Sequence, residues 1–307
     1  MGSPDFAVPC LRALARDHEV ALVVSQPDKP AGRGGQMTSP AVKAAALELG
    51  LPVIQPKSAR TGELEQALKE SLAQLAVVVA YGKILPRGVL EALPRGCINV
   101  HASLLPKYRG AAPIQWAVID GETETGVCIM QLDEGMDTGP VLLERRVLIG
   151  PEETSGELFD RLAPIGAQAL LEALDEIAAG RAHPVPQDHA RATHAPMLTK
   201  ADGAIDFAQS AGKVAARIRG VDPWPGAQAT LRGQVVKLFR AKAGMGHGVP
   251  GTVLTINEAG MHVATAEGGA VVIREIQAPG RKRMTAQQFA AGRGISVGDV
   301  LSRPELA

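Results

Sequence analysis

The sequence predicts an α/β protein, in which a doubly wound, mostly parallel sheet is followed by a small β-barrel. Three observations lead to this prediction. Apolar strand-like runs alternate with helical patterns over the first 180 or so residues of the 307. A stretch rich in Pro and His then lacks any periodicity. Beyond it, short alternating segments are separated by Gly-containing turns, which is typical of all-β structure.

In the first part, the β-branched run Glu19–Pro27 predicts a buried strand that ends at proline. Ser39 and Pro40 mark the start of a helix, and Gly50 marks its end. Strands and helices then alternate. The later strands are predicted at residues 52–56, 75–82, 97–103, 124–133 and 140–150, and the helices at 62–73, 87–93, 110–120 and 154–179. This order favours a Rossmann-like sheet with helices on both faces.

The aperiodic stretch sets the predicted domain boundary. We expect a first domain over residues 1–182, a linker over 183–201 and a second domain over 202–307. Strand signals in the second domain recur every 8–12 residues, as expected for a small, OB-like barrel. Such barrels often bind nucleic acid, but the fold alone does not give the function.

The charge distribution and the cysteine content indicate which partners, and which cellular compartment, to expect for this protein. The whole chain has 32 basic and 32 acidic residues, yet residues 202–307 hold 13 basic and 8 acidic ones, which suggests a polyanionic partner for the second domain. Three cysteines are scattered, without spacing that suits zinc. No apolar window is long enough to cross a bilayer. We therefore expect a cytoplasmic protein that holds no disulfide and no metal.

The candidate site begins at the end of the strand over residues 97–103. Asn99 and His101 are two residues apart, so both side chains face the same side of that strand. Ligands of open parallel sheets bind at the carboxyl ends of strands. Asp133, Glu134 and Asp137 follow the next strand on a Gly-rich loop. If the two strands are neighbours, a carboxylate, an imidazole and an amide converge.

An amide and an imidazole without a covalent nucleophile suit the stabilisation of an oxyanion formed by an external nucleophile. Preorganised donors of this kind contribute about 3–4 kcal/mol each. The residues therefore predict acyl transfer or hydrolysis without metal. The alternative at this point is a structural core histidine beside a turn asparagine.

Two sequence motifs are more specific than the pair Asn99 and His101 alone. "NVHASLLPKYRGAAPIQW" (99–116) and "LDEGMDTG" (132–139) resemble the folate-dependent formyltransferases over long, ungapped stretches. The resemblance implies that N10-formyltetrahydrofolate is the formyl donor and that an incoming amine attacks the formyl carbon. It also implies that Asn99 and His101 hold the oxyanion and that Asp137 supports His101.

The same resemblance implies a folate pocket with two walls. The segment "VVVAYGKILP" (77–86) is similar to the family's pterin-side loop, and "SLLP" (103–106) is similar to the second wall. The residues implied in cofactor binding are Val79, Tyr81, Gly82, Ile84, Ser103, Leu104, Leu105 and Pro106.

The acceptor is indicated by the basic loop over residues 25–43. It is long for a strand-to-helix connection, and its Lys29, Arg33 and Lys43 suit phosphate groups. It resembles the loop that members acting on initiator methionyl-tRNA insert at the acceptor end. Arg281, Lys282 and Arg283 in the second domain are expected to contact tRNA phosphates. The expected function is formylation of initiator methionyl-tRNA for translation initiation, by a monomer.

Three alternatives stay open at this stage. The acceptor could be an amino-sugar nucleotide or another small amine, the chain could be a tRNA-binding protein without catalysis, or formyltetrahydrofolate could be hydrolysed to formate. The family pattern also begins with a strand before its Gly-x-Pro-x-Phe segment, whereas here Met1 is followed at once by Gly2 and that segment. We expect that roughly eight residues of a first strand are missing here because the start of the chain was assigned too late.

Overall fold

The computed structural model describes residues 1–31 and 36–305, and the chain forms two compact units. Unit 1 comprises Met1–Pro113, Thr125–Val147 and Phe159–Ala195, and unit 2 comprises Ile114–Glu124, Leu148–Leu158 and Pro196–Ala307. The linear division at residues 183–201 stays a prediction. No helix within the described ranges combines the length and apolarity needed to cross a bilayer.

The helices are α1 Val8–Asp17, α2 Ala41–Glu48, α3 Glu63–Glu70, α4 Arg87–Leu90, α5 Pro113–Ile119, α6 Ser155–Ala178, α7 Ala211–Gly220 and α8 Ala286–Ala291. Helices α2 to α6 follow the predicted order, and the sequence did not predict α1, α7 and α8. The strands are β1 Val23–Val24, β2 Lys29–Ala31, β3 Gln36–Thr38, β4 Val53–Ile54, β5 Ala76–Val78, β6 Cys97–His101, β7 Glu124–Gln131, β8 Val141–Leu148, β9 Ala227–Leu231, β10 Gln234–Met245, β11 Val253–Asn257, β12 Gly260–Ala264, β13 Gly269–Gln277, β14 Met284–Thr285 and β15 Leu301–Ser302.

Unit 1 contains the mostly parallel sheet that the sequence predicts, so the predicted fold class is confirmed. β1 pairs with β4 in parallel, and β5 pairs with β6 in parallel. Beyond β6 the direction changes, because β7 runs antiparallel to β6 and β8 follows β7 at the edge. β2 and β3 form a separate antiparallel hairpin within the basic loop.

The first residues of the chain join the two parallel pairs. The N–H of Gly2 donates to the carbonyl of Val24, and Gly2 also bridges Val79 in parallel. The amino group of Met1 lies 2.6 Å from the carbonyl oxygen of Val77, and burial lowers its pKa to about 6. A cavity of about 810 Å³ lies beside Met1.

Helix α6 packs behind the central strand β6 within unit 1. Gly166 on this helix faces Val100, the residue between Asn99 and His101. A Cβ atom at position 166 would lie 3.1 Å from Val100 Cγ1 and 3.7 Å from Val127 Cγ1. The helix can therefore approach the sheet closely because position 166 has no side chain.

Unit 2 contains the predicted barrel. Its strands pair antiparallel in the order β11-β12-β13-β10-β9-β15, with β14 added to β13. An antiparallel bridge between Thr252 and Val300 joins the two ends of this order, so the sheet closes on itself. Leu238, Val263 and Ile273 fill the interior and have no exposed surface. Closure removes the free strand edges that an open sheet would present.

Candidate active site

The site is built on strand β6, which is buried at every position. Asn99 lies opposite Val78 of β5 and Met130 of β7, and His101 lies opposite Cys128 of β7. Because side chains alternate along a strand, Asn99 and His101 share one face. They are 8% and 5% exposed, so both polar groups are largely removed from bulk water. The sequence left open whether this strand neighbours the one over residues 124–133, and the structure pairs the two.

The amide of Asn99 makes no side-chain hydrogen bond within residues 1–31 and 36–305. A largely buried amide without a protein partner has donors and an acceptor available to a bound molecule. The thiol of Cys97, two residues earlier on the same strand, is different. Burial raises the pKa of this thiol to about 11, so it is not a ready nucleophile at neutral pH.

The ring of His101 is oriented by a backbone carbonyl. Its Nε2 lies 2.9 Å from the carbonyl oxygen of Tyr108. A carbonyl only accepts, so Nε2 carries the hydrogen, and in the neutral ring Nδ1 has the free lone pair. Nδ1 lies 3.7 Å from Oδ2 of Asp137, which is too long for a hydrogen bond but close enough for the carboxylate to stabilise a proton that Nδ1 takes up. The contact with the Tyr108 carbonyl thus sets the tautomer of the neutral ring.

Asp137 reaches His101 by a route that the sequence did not predict. Because β7 is antiparallel to β6, the loop after β7 starts near Cys97, where the N–H of Leu132 donates to the Cys97 carbonyl. The loop must then return along the sheet. Asp133 accepts hydrogen bonds within the loop itself, and Glu134 is exposed, 3.9 Å from Arg87. Of the three predicted carboxylates, only Asp137 is recorded next to His101.

Two contacts fix Asp137 from its two sides. The N–H of Gly110 donates to Oδ2 at 2.8 Å, and the amide of Gln187 donates to the Asp137 carbonyl at 2.9 Å. The backbone of Asp137 has φ +53°, a left-handed conformation that costs energy for any residue but glycine. The loop keeps this conformation because the surrounding hydrogen bonds hold it.

Arg109, Gln187 and His189 form a network that sequence reasoning missed. Arg109 is 5% exposed, and its guanidinium donates to Oε1 of Gln187 at 2.7 Å and contacts Nδ1 of His189 at 3.0 Å. Arg109 lies in the motif over residues 99–116, so the sequence gave some indication that this residue belongs to the site. Gln187 lies in the aperiodic stretch that the sequence assigned to a linker, and no local pattern marked it.

The four predicted folate contacts on the pterin-side loop differ in exposure. Val79 is buried, and its N–H already donates to the Met1 carbonyl. Tyr81 is 1% exposed and packs in the apolar core, and its hydroxyl has no partner among the described residues. Gln26 donates to the carbonyls of Tyr81 and Gly82 at 2.8 and 3.4 Å. Ile84 is 65% exposed and presents its side chain outward.

The second predicted wall is an ordered turn directly after β6. The hydroxyl of Ser103 is fully buried and donates to the Lys107 carbonyl at 2.7 Å. Leu105 is buried, Leu104 is half-buried, and the Leu105–Pro106 peptide bond is cis. This turn therefore starts immediately beside His101, as expected for a wall of the same pocket.

The basic loop is described only in part. Lys29 on β2 is exposed, and Arg33 lies outside the described residues. Lys43 bonds Asp28 at 2.7 Å, and Gln55 donates to the other carboxylate oxygen at 2.8 Å. The hydrogen bond from Gln55 has the largest effect on the carboxyl group of Asp28, and the hydrogen bond from Lys43 has the next largest. Both lower the pKa of Asp28. The charge of Lys43 is thus compensated within the protein.

The predicted basic turn of unit 2 is exposed at all three positions. Arg283 lies 4.0 Å above the ring of Phe239 and is paired with Glu275. Arg281 and Lys282 have no recorded ion pair among the described residues. The three residues therefore differ, since Arg283 packs on the barrel while its two neighbours present their charges to solvent.

Comparison with known proteins finds matches over most of the chain. The sequence profile described as "Formyl transferase" matches residues 2–174, and that described as "Formyl transferase, C-terminal domain" matches residues 197–294. A relative from Desulfotalea psychrophila is 50% identical over 98% of this chain and 94% of its own length, and one from Sorangium cellulosum is 47% identical over 98% of both. Both bear the name methionyl-tRNA formyltransferase.

Among solved structures, WlaRD, a sugar 3N-formyl transferase crystallised with dTDP and 5-N-formyl-THF, superposes with a TM-score of 0.68. It covers 92% of this chain and 97% of its own, at 16% identity, which shows a shared fold. The two profile matches span most of the sequence, and the two relatives are similar over nearly their whole length. The chain belongs to the formyl transferase family.

Proposed function

We propose that this protein transfers the formyl group of N10-formyltetrahydrofolate to the α-amino group of methionyl initiator tRNA, the reaction that prepares this tRNA for translation initiation. The observation that carries the proposal is the arrangement on β6, where an amide without a partner among the described residues and an oriented imidazole share one buried face beside Asp137. Relatives at 44–50% identity over nearly the full chain, all named methionyl-tRNA formyltransferase, support the choice of acceptor.

Asn99 has the oxyanion role in this proposal. When the amine attacks the formyl carbon, negative charge develops on the formyl oxygen. The Asn99 amide can donate to that oxygen without first breaking a hydrogen bond within the protein. A preorganised donor in a site of low exposure stabilises such charge by about 3–4 kcal/mol.

His101 handles the proton. Its Nδ1 lone pair faces the site because Nε2–H is held by Tyr108. The amine loses one proton as its nitrogen bonds to the formyl carbon, and the bond from that carbon to N10 of the donor breaks. Nδ1 accepts the amine proton and returns it to N10, so no net proton is lost. In the interval the imidazolium is stabilised by the carboxylate of Asp137, 3.7 Å away.

The donor and acceptor occupy the surfaces predicted from the sequence. Residues 77–86 and 103–106 form the folate pocket, with Ile84 and Leu104 offering accessible apolar surface. Residues 1–182 are the catalytic domain in this proposal, and the barrel of residues 202–307 binds tRNA. Lys29, Arg281 and Lys282 are the described cations best placed for phosphates, since Lys43 and Arg283 already have acidic partners.

A formyl-transfer assay tests the proposal. The purified chain is supplied with N10-formyltetrahydrofolate and, in separate reactions, with methionyl initiator tRNA or an amino-sugar nucleotide. We expect formylmethionyl-tRNA from the first and no product from the second. Transfer only to the sugar, or formate release without any acceptor, would overturn the proposal.

The proposed tRNA contacts have their own test. Changing Arg281 and Lys282 together to Ala should weaken tRNA binding and reduce the slope of log affinity against log salt by up to about 2, because each lost phosphate contact removes about 0.7–0.9. Arg303→Ala is a control on an exposed cation of the same unit. An unchanged salt slope would remove these residues from the tRNA surface.

A further inference from the structure

We propose that Gln187 and Arg109 are positioning residues that hold Asp137 beside His101. The inference rests on the proposed function, because Asp137 matters for catalysis only if His101 transfers the proton. It concerns residues for which the sequence motifs imply no role. For brevity, the "clamp" denotes Arg109, Gln187 and His189.

Gln187 connects two parts of the site through one side chain. Its Nε2 group donates to the carbonyls of Asp137 at 2.9 Å and Gly139 at 2.7 Å. Its Oε1 accepts from Arg109 Nη2 at 2.7 Å and from Nε at 3.2 Å. Every donor and acceptor direction of the amide is therefore used, and the partners permit only one orientation of this side chain.

Arg109 strengthens this connection by its charge. Its guanidinium is 5% exposed and, within the described residues, has no recorded carboxylate partner. A buried cation that faces only neutral acceptors polarises them strongly. The Gln187 amide is thus held with its oxygen toward the cation, so its NH₂ group points at the loop carbonyls.

The backbone around Arg109 is also tied to the segment that follows Gln187. The N–H of Arg109 donates to Thr193 at 2.9 Å, and the N–H of Ala195 donates to the Arg109 carbonyl at 2.7 Å. Gly110, the next residue, donates to Oδ2 of Asp137. The clamp and the Gly110 contact therefore hold Asp137 from its main chain and its carboxylate at once.

This double attachment is what a strained loop requires. Asp137 adopts φ +53°, and a loop released from its hydrogen bonds would relax to a conformation of lower energy. A displacement of about 1 Å at a catalytic group can lower the rate about 10²-fold. The clamp should consequently affect the chemical step and leave substrate binding unchanged.

The test compares Gln187→Glu and Gln187→Leu with the unaltered protein in single-turnover formyl transfer at saturating donor and methionyl-tRNA. The Glu side chain keeps the shape of Gln187 and an oxygen that accepts from Arg109. It lacks the NH₂ group that donates to the carbonyls of Asp137 and Gly139. We expect both variants to react about 10- to 100-fold more slowly, with KM for both substrates within about threefold. Arg191→Ala, on an exposed side chain of the same segment, is the matched control and should react at the unaltered rate.

A double variant separates positioning from a general structural role. If Gln187 acts through Asp137, then Asp137→Asn combined with Gln187→Leu should be no slower than Asp137→Asn alone. Multiplied effects, or Gln187 variants with an unchanged rate, would overturn the inference. Thermal unfolding of each variant identifies loss of fold, and Gln187→Glu preserves the test if Gln187→Leu does not fold.

Failure of this inference can be distinguished from failure of the proposed function. If the unaltered protein does not formylate methionyl-tRNA, the proposed function fails. If the unaltered protein formylates methionyl-tRNA and the Gln187 variants react at the same rate, the proposed function holds and only the positioning role of the clamp is rejected.

Discussion

Strand β6 and the loop over residues 132–140 both supply groups to the same site, yet they hold them in different ways. β6 fixes Asn99 and His101 by regular pairing with β5 and β7 on its two sides. The loop fixes Asp137 through single contacts from Gly110 and Gln187, which are 27 and 50 residues away in sequence. A strand positions side chains by its period, whereas this loop depends on particular distant partners.

The difference predicts a ranking of effects. In the proposed mechanism, residues on the strand act directly on the reacting atoms, and strand pairing keeps them in place when neighbours change. Asp137 acts through His101 in that mechanism, and its position depends on contacts from other residues. Variants on β6 should therefore affect the chemical step most, and variants within the loop should have graded effects.

The largest effect is expected from His101→Ala. Without the Nδ1 acceptor, the amine proton has no group to receive it, and kcat should fall about 10³-fold or more. The measurement is single-turnover transfer together with tRNA binding. Binding should remain within twofold, so an equal loss of rate and of tRNA affinity would contradict the role assigned to His101.

Asn99→Ala should rank second. Loss of one preorganised donor to the formyl oxygen lowers kcat about 10²- to 10³-fold. Because the amide makes no hydrogen bond to the described protein, its removal should leave the melting temperature nearly unchanged. A strong loss of stability with little loss of rate would instead indicate a structural asparagine.

Asp137→Asn should rank third. The amide keeps the shape of the carboxylate and its acceptor for Gly110, but it removes the negative charge 3.7 Å from Nδ1. We expect kcat to fall about 10- to 100-fold, since an imidazolium that forms beside it is no longer stabilised. If this variant were as slow as His101→Ala, the loop would be as critical as the strand and the ranking would be wrong.

The smallest effect is expected from Asp133→Ala. Asp133 closes the exposed start of the loop through Gly135 and Thr138, and it does not contact His101. An exposed hydrogen bond contributes about 0.5–1.5 kcal/mol to local order. We expect kcat within about threefold of the unaltered value in the same assay. A larger fall would show that the loop's own turn, and not the clamp, positions Asp137.

The same difference explains how much the sequence could predict. Local sequence patterns predicted the strands and most helices of the first domain, and the barrel of the second. They also predicted that Asn99 and His101 lie together, because period-2 spacing fixes which side chains share a face. The direction of β7 could not be predicted, since a strand can join a mixed sheet in either direction. The role of Tyr108 in setting the His101 tautomer could be seen only in the structure, because a backbone carbonyl makes the contact.

Gln187 shows the limit most clearly. It sits among prolines and histidines in a stretch with no periodicity, where a linker was the natural prediction. Its importance arises from burial and from partners about 50 and 80 residues away along the chain. Neither property leaves a mark on neighbouring residues, so no local reading could have found it.

The close approach of α6 to β6 has a consequence for genetics. Gly166 lies against Val100, and any side chain there presses on the strand from behind, on the side away from the reactants. Gly166→Val would overpack this contact and lower the temperature at which the protein unfolds. Screens for heat-sensitive growth in a host that depends on this protein should therefore recover substitutions on a helix to which the proposed mechanism gives no role.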